Sequence, residues 1–366
     1  MASPTFPVLP IQKFARRNAP VRRPTEITRF SYDDTHKLRH DSSSLKTYYT
    51  PELDTSLSRG FKTFVKHDDS VDEHLDGLLE ALAELERKTG ERVKVDIVTW
   101  RGMITKLMTL PFDLRNGFEM NAIKFQDTIF IEENHAHKQS SRGRSDRRQD
   151  MMSFWGYKFE SLSTLPRNWD DCSRELIENR DNEVVSNEAQ FCSIVKTGFG
   201  NVKIVIGGEV DAVWNSNPST STPPIYVELK TSKSPSSNRD DVAFERKLLR
   251  FWSQSFLLGV AKIIVGFRDD DGFLRSLQEF ETQSLPGIAK RSGRCLWDGK
   301  LSIDFTASLL EWIKGTIGAA EEGTVWRIRW KANGECVECV KTEDSSFLSP
   351  GFVAWRGELA ARKGEC

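Results

Sequence analysis

The sequence predicts an α/β (mixed α+β) fold, with parallel and antiparallel strands in the sheets and helices around them. Three observations carry this. Strand-like and helix-like segments interleave along the chain without strict alternation, which fits a mixed sheet better than a doubly wound one. Leu75, Leu78, Leu79, Leu82 and Leu85 recur at helical spacing. Residues 190–214 hold two strand-like runs, QFCSIVKT and NVKIVIGGEVDAVW, joined by the glycine turn GFGN. With 38% hydrophobic residues, 22 Phe and 10 Trp, the 366-residue chain has enough apolar material for a substantial core.

In order along the chain, residues 1–25 are rich in Pro and Arg without periodicity and read as an extended arm. Their Arg16, Arg17, Arg22 and Arg23 are candidates for a nuclear-import signal. The stretch DEHLDGLLEALAELERK, 72–88, is an amphipathic helix ended by Gly90. VKVDIVTWRG then reads as a strand entering a turn, and 119–133 as a strand pair around a polar turn. The polar, basic run 137–150 reads as a surface loop whose arginines are candidate phosphate contacts. FWGYKFESLS, 154–163, mixes aromatics with the single acid Glu160. After 190–214, a polar loop at 215–224 leads to the strand IYVELKT. A second helix follows at 242–260, then the strand AKIIVGFRD, a helix at 305–320 and the closing strand TVWRIRWKA. This organisation implies one domain over 26–355 and a C-terminal tail at 356–366, with weak signals throughout 331–366.

Several function classes are disfavoured. A formal net charge of −1 excludes a bulk polycation, so nucleic-acid binding requires a local basic patch. The N-terminal stretch lacks a signal-peptide apolar core, and no run of about 18 apolar residues occurs, so the expectation is a soluble intracellular protein without a membrane role. Six cysteines without a framework fit a reducing compartment, and the CxxC pair Cys336 and Cys339 lacks the further ligands a metal or redox site needs. His135 and His137 in ENHAH read as surface or supporting groups rather than zinc ligands, there being no cysteine nearby.

The chemistry concentrates in GGEVDAVWNSNPSTSTPPIYVELKT, 207–231. Residues i and i+2 of a strand share a face, so Glu209 pairs with Asp211 and Glu228 with Lys230. A hairpin about the middle of the loop sets Asp211 opposite Glu228 and Glu209 opposite Lys230, gathering all four side chains on one face. Three crowded carboxylates repel, and one lysine does not neutralise them. Divalent ions bound through oxygen, Mg²⁺ or Mn²⁺, are the simplest compensation, since the His and Cys that zinc prefers are absent from this hairpin. The lysine can then orient water or stabilise a phosphoryl oxygen. A solvated strand face with alternating charge is the bland alternative. An acid pair followed by a strand bearing E-x-K resembles the core of restriction-endonuclease-like (PD-(D/E)XK-type) nucleases.

The resemblance extends further. WRG at 100–102, GFEMNA at 117–122, IFIEENH at 129–135, GYKFE at 156–160, GEVDA at 208–212, ELKT at 228–231 and WSQSFLLGV at 252–260 occur in that order. Together they resemble the DXO/Rai family of decapping and RNA 5′-end quality-control nucleases over roughly residues 23 to 330, closest to the fungal branch. The resemblance implies that Glu160, Glu209, Asp211, Glu228 and the Leu229 carbonyl hold two divalent ions, Mg²⁺ or Mn²⁺. It places Lys230 beside the scissile phosphate and nucleophilic water. Arg101, Gly102 and Gln254 fall at RNA-contacting positions, Trp100 and Cys192 along the substrate pocket, and Glu73 at a further substrate-site acid. Lys247, Arg250 and Gln254 also share one polar stripe of their helix, away from Phe244, Leu248, Phe251 and Phe256.

The implied activity is hydrolysis at RNA 5′ ends: pyrophosphate release from triphosphate ends, and removal of incomplete or NAD-type caps, in the nucleus. Fungal members partner the nuclear 5′→3′ exoribonuclease, so a regulatory partner with secondary catalysis is the main alternative. A DNA nuclease sharing only the hairpin core is the other.

Overall fold

The structure, a computed structural model, describes residues 3–141, 143, 146–214 and 223–363. The chain begins with β1 (Thr5–Pro7), β2 (Val21–Tyr32), β3 (Leu38–Arg39) and β4 (Thr47–Tyr48), followed by α1 (Asp76–Thr89), β5 (Ile97–Trp100) and α2 (Arg101–Thr109). Next come β6 (Phe118–Phe125), β7 (Thr128–Glu133), α3 (His135–Ser141), α4 (Arg147–Leu162), β8 (Thr164–Leu165) and α5 (Arg174–Asn179). The centre of the chain supplies β9 (Gln190–Phe199), β10 (Val202–Glu209), β11 (Ala212–Val213), β12 (Tyr226–Lys233) and α6 (Asn238–Leu258). It closes with β13 (Lys262–Arg268), β14 (Leu274–Glu281), α7 (Leu285–Arg291), α8 (Gly299–Gly318), β15 (Val325–Trp330), β16 (Cys336–Lys341) and α9 (Pro350–Lys363).

The strands form a ten-stranded sheet, β1-β16-β15-β6-β7-β5-β10-β9-β2-β3, and a six-stranded sheet, β14-β13-β12-β11-β4-β8. Both are mixed. In the large sheet β10 runs parallel to β5 and antiparallel to β9, and in the small one β12 runs parallel to β13 and antiparallel to β11. The expected mixed α/β fold is thus the observed one.

Alternation of side chains sets the layers. Ile204 and Ile206 of β10 enter the core shared with α2, α6 and α8, whereas Val205 between them enters the core shared with α1 and α9. In β12, Val227 and Leu229 pack with Phe159 of α4, while Tyr226 faces the core that holds α6. Glu228 and Lys230 share the Tyr226 face by the same alternation, so they point between the two sheets.

Several segments depart from the sequence reading. Of the extended arm expected over 1–25, residues 3–25 are docked on the domain: Phe6 of β1 pairs with Val337, and Phe14 packs edge-on against Phe305 at 5.0 Å. The expected tail begins inside α9, where Arg356 is buried. The basic run 137–150 is largely helical, since α3 covers its start and α4 begins at Arg147, with Asp146 accepting the Gln149 N–H at 2.7 Å. Its Arg142 and Arg144, like 215–222 of the polar loop, lie outside the described residues. TWRG does not turn but passes from β5 into α2, which starts at Arg101. Among the described residues, no helix is long and apolar enough to cross a membrane.

Candidate active site

The hairpin pairs Ala212 with Val227 and Val213 with Tyr226, the register read from the sequence. At its open end Asp211 accepts the Leu229 N–H at 2.6 Å, which fixes this carboxylate beside Glu228. The ladder stops there. Glu209 does not face Lys230: it ends β10 in the large sheet, opposite Cys192, and the chain crosses to the small sheet through Val210. The crossing brings Glu209 to the same site from another direction, and its electrostatic coupling to Glu228, Lys230 and Glu160 places it in the cluster.

Glu160 arrives from α4. That helix lies flush on the small sheet because Gly266 of β13 leaves room for Phe159; a Cβ there would sit 2.6 Å from the ring. Arg101 arrives from the first turn of α2. Gly207 and Gly208 permit it, since a Cβ on Gly207 would meet the Trp100 ring at 2.8 Å and one on Gly208 would meet the Arg101 Cβ at 3.0 Å. Two close approaches therefore seat the site.

Glu228 is fully buried, and its two oxygens take 2.9 Å and 2.5 Å contacts from Arg101 Nη1 and Lys230 Nζ. Burial alone would raise its pKa, but these two cations outweigh burial and hold it below the usual carboxylate range. The other acids are not so served. Burial, then repulsion from Asp211 and Glu209, pushes Glu160 well up. Glu209 is pushed up by loss of water and by Glu228, with Arg101 opposing. Burial and then Glu228 push Asp211 to about 7. Among the described residues, the cations touching the cluster spend their short contacts on Glu228. Three crowded carboxylates that resist ionising, one more held charged and a nearby main-chain carbonyl at Leu229 make an oxygen donor set suited to divalent cations.

Two openings adjoin one another, and one of them reaches the cluster at Glu209. A cavity of about 400 Å³ is lined by Trp100, Gly102, Cys192, Glu209, Glu73 and His74, among others. A groove of about 720 Å³ carries Lys106, Lys138, Arg246, Lys247, Arg250 and Gln254. Gly102, Met103, Glu133 and Lys138 belong to both, so the two are continuous. Lys247, Arg250 and Gln254 thus share a groove as their stripe on α6 suggested. Trp100 is half-buried and donates its indole N–H to the His74 carbonyl at 3.3 Å. Cys192 is buried and its thiol is pushed up by burial and by Glu209, so it offers surface rather than chemistry. Glu73 precedes α1 rather than lying on it, and contacts His36 and His67.

Motif reading left one group without a role. Glu132, 2% exposed, accepts from Asn121 at 2.8 Å and contacts His74 Nδ1 at 2.9 Å. Its signal was an acid at an inward strand position inside IFIEENH. His135 Nε2 lies 3.2 Å from the Asp69 carbonyl and 3.0 Å from Gln139.

A mixed sheet, a hairpin that sets Asp211 beside the E-x-K strand, Glu209 from the end of β10 and a helix acid completing the cluster define the PD-(D/E)XK nuclease class. The family model described as RAI1-like PD-(D/E)XK nuclease matches residues 22–353, and the chain belongs to this family. The "Decapping nuclease RAI1" of Emericella nidulans is 50% identical over 96% of this chain and 98% of its own. A crystal structure of Candida albicans Rai1 in complex with pU5 and Mn²⁺ superposes with a TM-score of 0.89 at 28% identity, covering 98% of this chain and 100% of the other. Scheffersomyces stipitis Rai1 in complex with (3′-NADP)⁺ and calcium ion gives 0.86 at 29% identity, with the same coverage of each chain.

Proposed function

We propose that this chain is a divalent-metal-dependent hydrolase of RNA 5′ ends, removing pyrophosphate from triphosphate ends and hydrolysing incomplete or NAD-type caps. The observation that carries the reading is the excess of carboxylates over cations in a buried cluster whose Glu209 lines a cavity continuous with a basic groove. The decapping nucleases among the relatives support RNA ends as substrate, and the relatives solved with pU5 and with 3′-NADP support oligonucleotide and dinucleotide occupants.

Glu160, Glu209, Asp211, Glu228 and the Leu229 carbonyl would hold two Mg²⁺ or Mn²⁺ ions, which when bound supply Lewis acidity and an activated water. The protein's own groups do the rest. Lys230 keeps its proton, because Glu228 and Asp211 outweigh the burial that opposes its charge, and its ammonium can hold the water or a phosphoryl oxygen. Arg101 also stays charged, and guanidinium N–H groups not directed at Glu228 can face phosphate oxygens. Lys106, Lys138, Arg246, Lys247 and Arg250 give the ribose-phosphate chain a basic path, and Gln254 adds a neutral donor.

The resemblance further supports a nuclear protein that partners a 5′→3′ exoribonuclease, testable by co-purification from nuclear extract. The catalytic reading is tested by pyrophosphate release from 5′-triphosphate RNA with Mg²⁺ or Mn²⁺. Release by wild type, lost in EDTA and in Glu228→Ala, is expected. No release by folded wild type from triphosphate RNA, and no cleavage of capped or NAD-capped RNA, would favour the partner role.

A further inference from the structure

Glu132, the buried acid that no motif explains, leads to a further group in the cavity. Asn121 donates to it at 2.8 Å and accepts from Asn134 at 2.9 Å, and Asn134 in turn accepts the His137 N–H at 2.7 Å. These amides carry no charge. Among the described residues, the basic group in contact with Glu132 is His74, whose Nδ1 lies 2.9 Å from one carboxylate oxygen. A buried carboxylate needs a counter-charge, so Glu132 draws a proton onto this ring.

The backbone turns His74 toward that role. Its φ of +48° is left-handed, a conformation that residues with side chains rarely adopt. Asp72 accepts the His74 N–H at 3.1 Å and the Trp100 indole donates to the His74 carbonyl at 3.3 Å, which together hold the turn. Phe347 lies nearly parallel to the imidazole, with planes 20° apart and centroids at 6.4 Å. Burial disfavours charge on the ring, but Glu132, Asp72 and Asp76 outweigh it and raise the His74 pKa. With Nδ1 committed to Glu132, Nε2 sits on the other edge of the ring and has no hydrogen-bond partner among the described residues. The side chain is 38% exposed and lines the cavity shared by Trp100 and Glu209. In the protonated ring Nε2–H is a donor.

We propose that His74, held in place by Glu132, is a substrate-binding residue whose Nε2–H donates to a phosphate oxygen of a 5′-triphosphate end. The inference rests on the reading of RNA 5′ ends as substrate. Glu209 belongs to the proposed metal-binding set, so a phosphate drawn to that set lies in the space that His74 borders. Asp72 and Glu73 on the same wall repel phosphate, and a charge-assisted donor at His74 offsets them. Glu132 is the positioning residue: it touches no substrate and acts by orienting and charging the ring.

The test measures pyrophosphate release from 5′-triphosphate RNA by the full-length chain. His74→Asn keeps a residue that tolerates the left-handed turn and removes the cationic donor. It should raise KM by about 10- to 100-fold, the worth of a hydrogen bond to a charged group, with kcat near wild type. Glu132→Gln should raise KM in the same sense and add nothing in the His74→Asn background, because it acts through His74. Should a variant fail to fold, the ring ¹⁵N signals of His74 in wild type give a readout that needs no turnover. A short 5′-triphosphate RNA added in Ca²⁺ should shift the Nε2 signal. A shift in a chain that releases no pyrophosphate would uphold this contact and remove the catalytic reading. Wild-type KM in folded His74→Asn, additive losses in the double variant, or a His74 signal indifferent to saturating triphosphate RNA would each overturn the proposal.

Discussion

Glu86 and Glu228 are both fully buried glutamates, and they illustrate opposite uses of a buried charge. Glu86 of α1 is satisfied within the protein: Arg356 approaches both oxygens at 2.7 Å, the Val93 N–H donates at 2.8 Å and the Trp355 indole at 3.2 Å. It stands as one acid with one arginine, and its work is to clamp α9 onto α1. Glu228 has comparable short contacts, yet it sits among three further acids whose pKa values are pushed up. The lesson lies in the neighbours. A buried acid whose surroundings neutralise it is structural, whereas a group of acids left with excess charge is waiting for a cation from solution.

The largest expected difference between the two regions is in turnover. Glu228→Ala should cost at least about 100- to 1000-fold in pyrophosphate release, the order seen when one electrostatic stabiliser of a transition state is removed. Glu86→Ala should leave release per folded molecule near wild type. Stability reverses the ranking: Glu86→Ala strands Arg356 in the core and should cost about 3–5 kcal/mol in chemical denaturation. Normal stability in Glu86→Ala, or normal turnover in Glu228→Ala, would erase the contrast.

A pH series sharpens it. Glu160, Glu209 and Asp211 have folded pKa values above their unfolded ones, Asp211 reaching about 7. Their protonated forms suit the metal-free fold, so stability from this source is complete below the unfolded carboxylate range, near pH 4, and is lost as pH rises through about 7. Glu228 is lowered and works the other way, losing its contribution only as pH falls into the acid range. Melting in EDTA should therefore drop by roughly a few degrees between pH 5 and 8, and Mn²⁺ should cancel much of the drop. A flat profile in EDTA would contradict the uncompensated charge.

The smallest effect concerns placement. Gly266→Ala crowds Phe159 and should cost about 1–3 kcal/mol while shifting Glu160. Activity should fall by more than the loss of folded protein explains, which turnover normalised to the folded fraction will check.

How much of this was legible depends on distance along the chain. The hairpin register was readable because alternation and a single loop determine it, and it holds at Ala212 and Val227. Glu209 was gathered with Asp211 and Glu228 by the wrong geometry, since nothing in a run of β residues marks the switch between sheets at Val210. Glu160 joins the cluster only through the packing of Phe159 on Gly266, a contact between distant segments, and only the resemblance carried by GYKFE named it. Arg101 read as a turn residue because Gly102 weakens the helical signal of a short helix. The arm and tail escaped because β1 is three residues long and pairs with β16, and because the boundary drawn at 356 cuts a helix whose buried face, Phe352, Trp355, Arg356 and Leu359, runs across it. His74 and Glu132 carry no shared motif, and tertiary structure alone joins them.

The most direct test of the central claim is calorimetric titration of Mg²⁺ near pH 6 in buffers of different ionisation enthalpy. Wild type should bind Mg²⁺ and release protons as it does so; Glu160→Gln with Asp211→Asn should lose the binding, and Glu86→Gln should keep it. Wild type that binds no Mg²⁺ while folded, or binding indifferent to Glu160 and Asp211, would contradict the claim that these acids are gathered to hold metal.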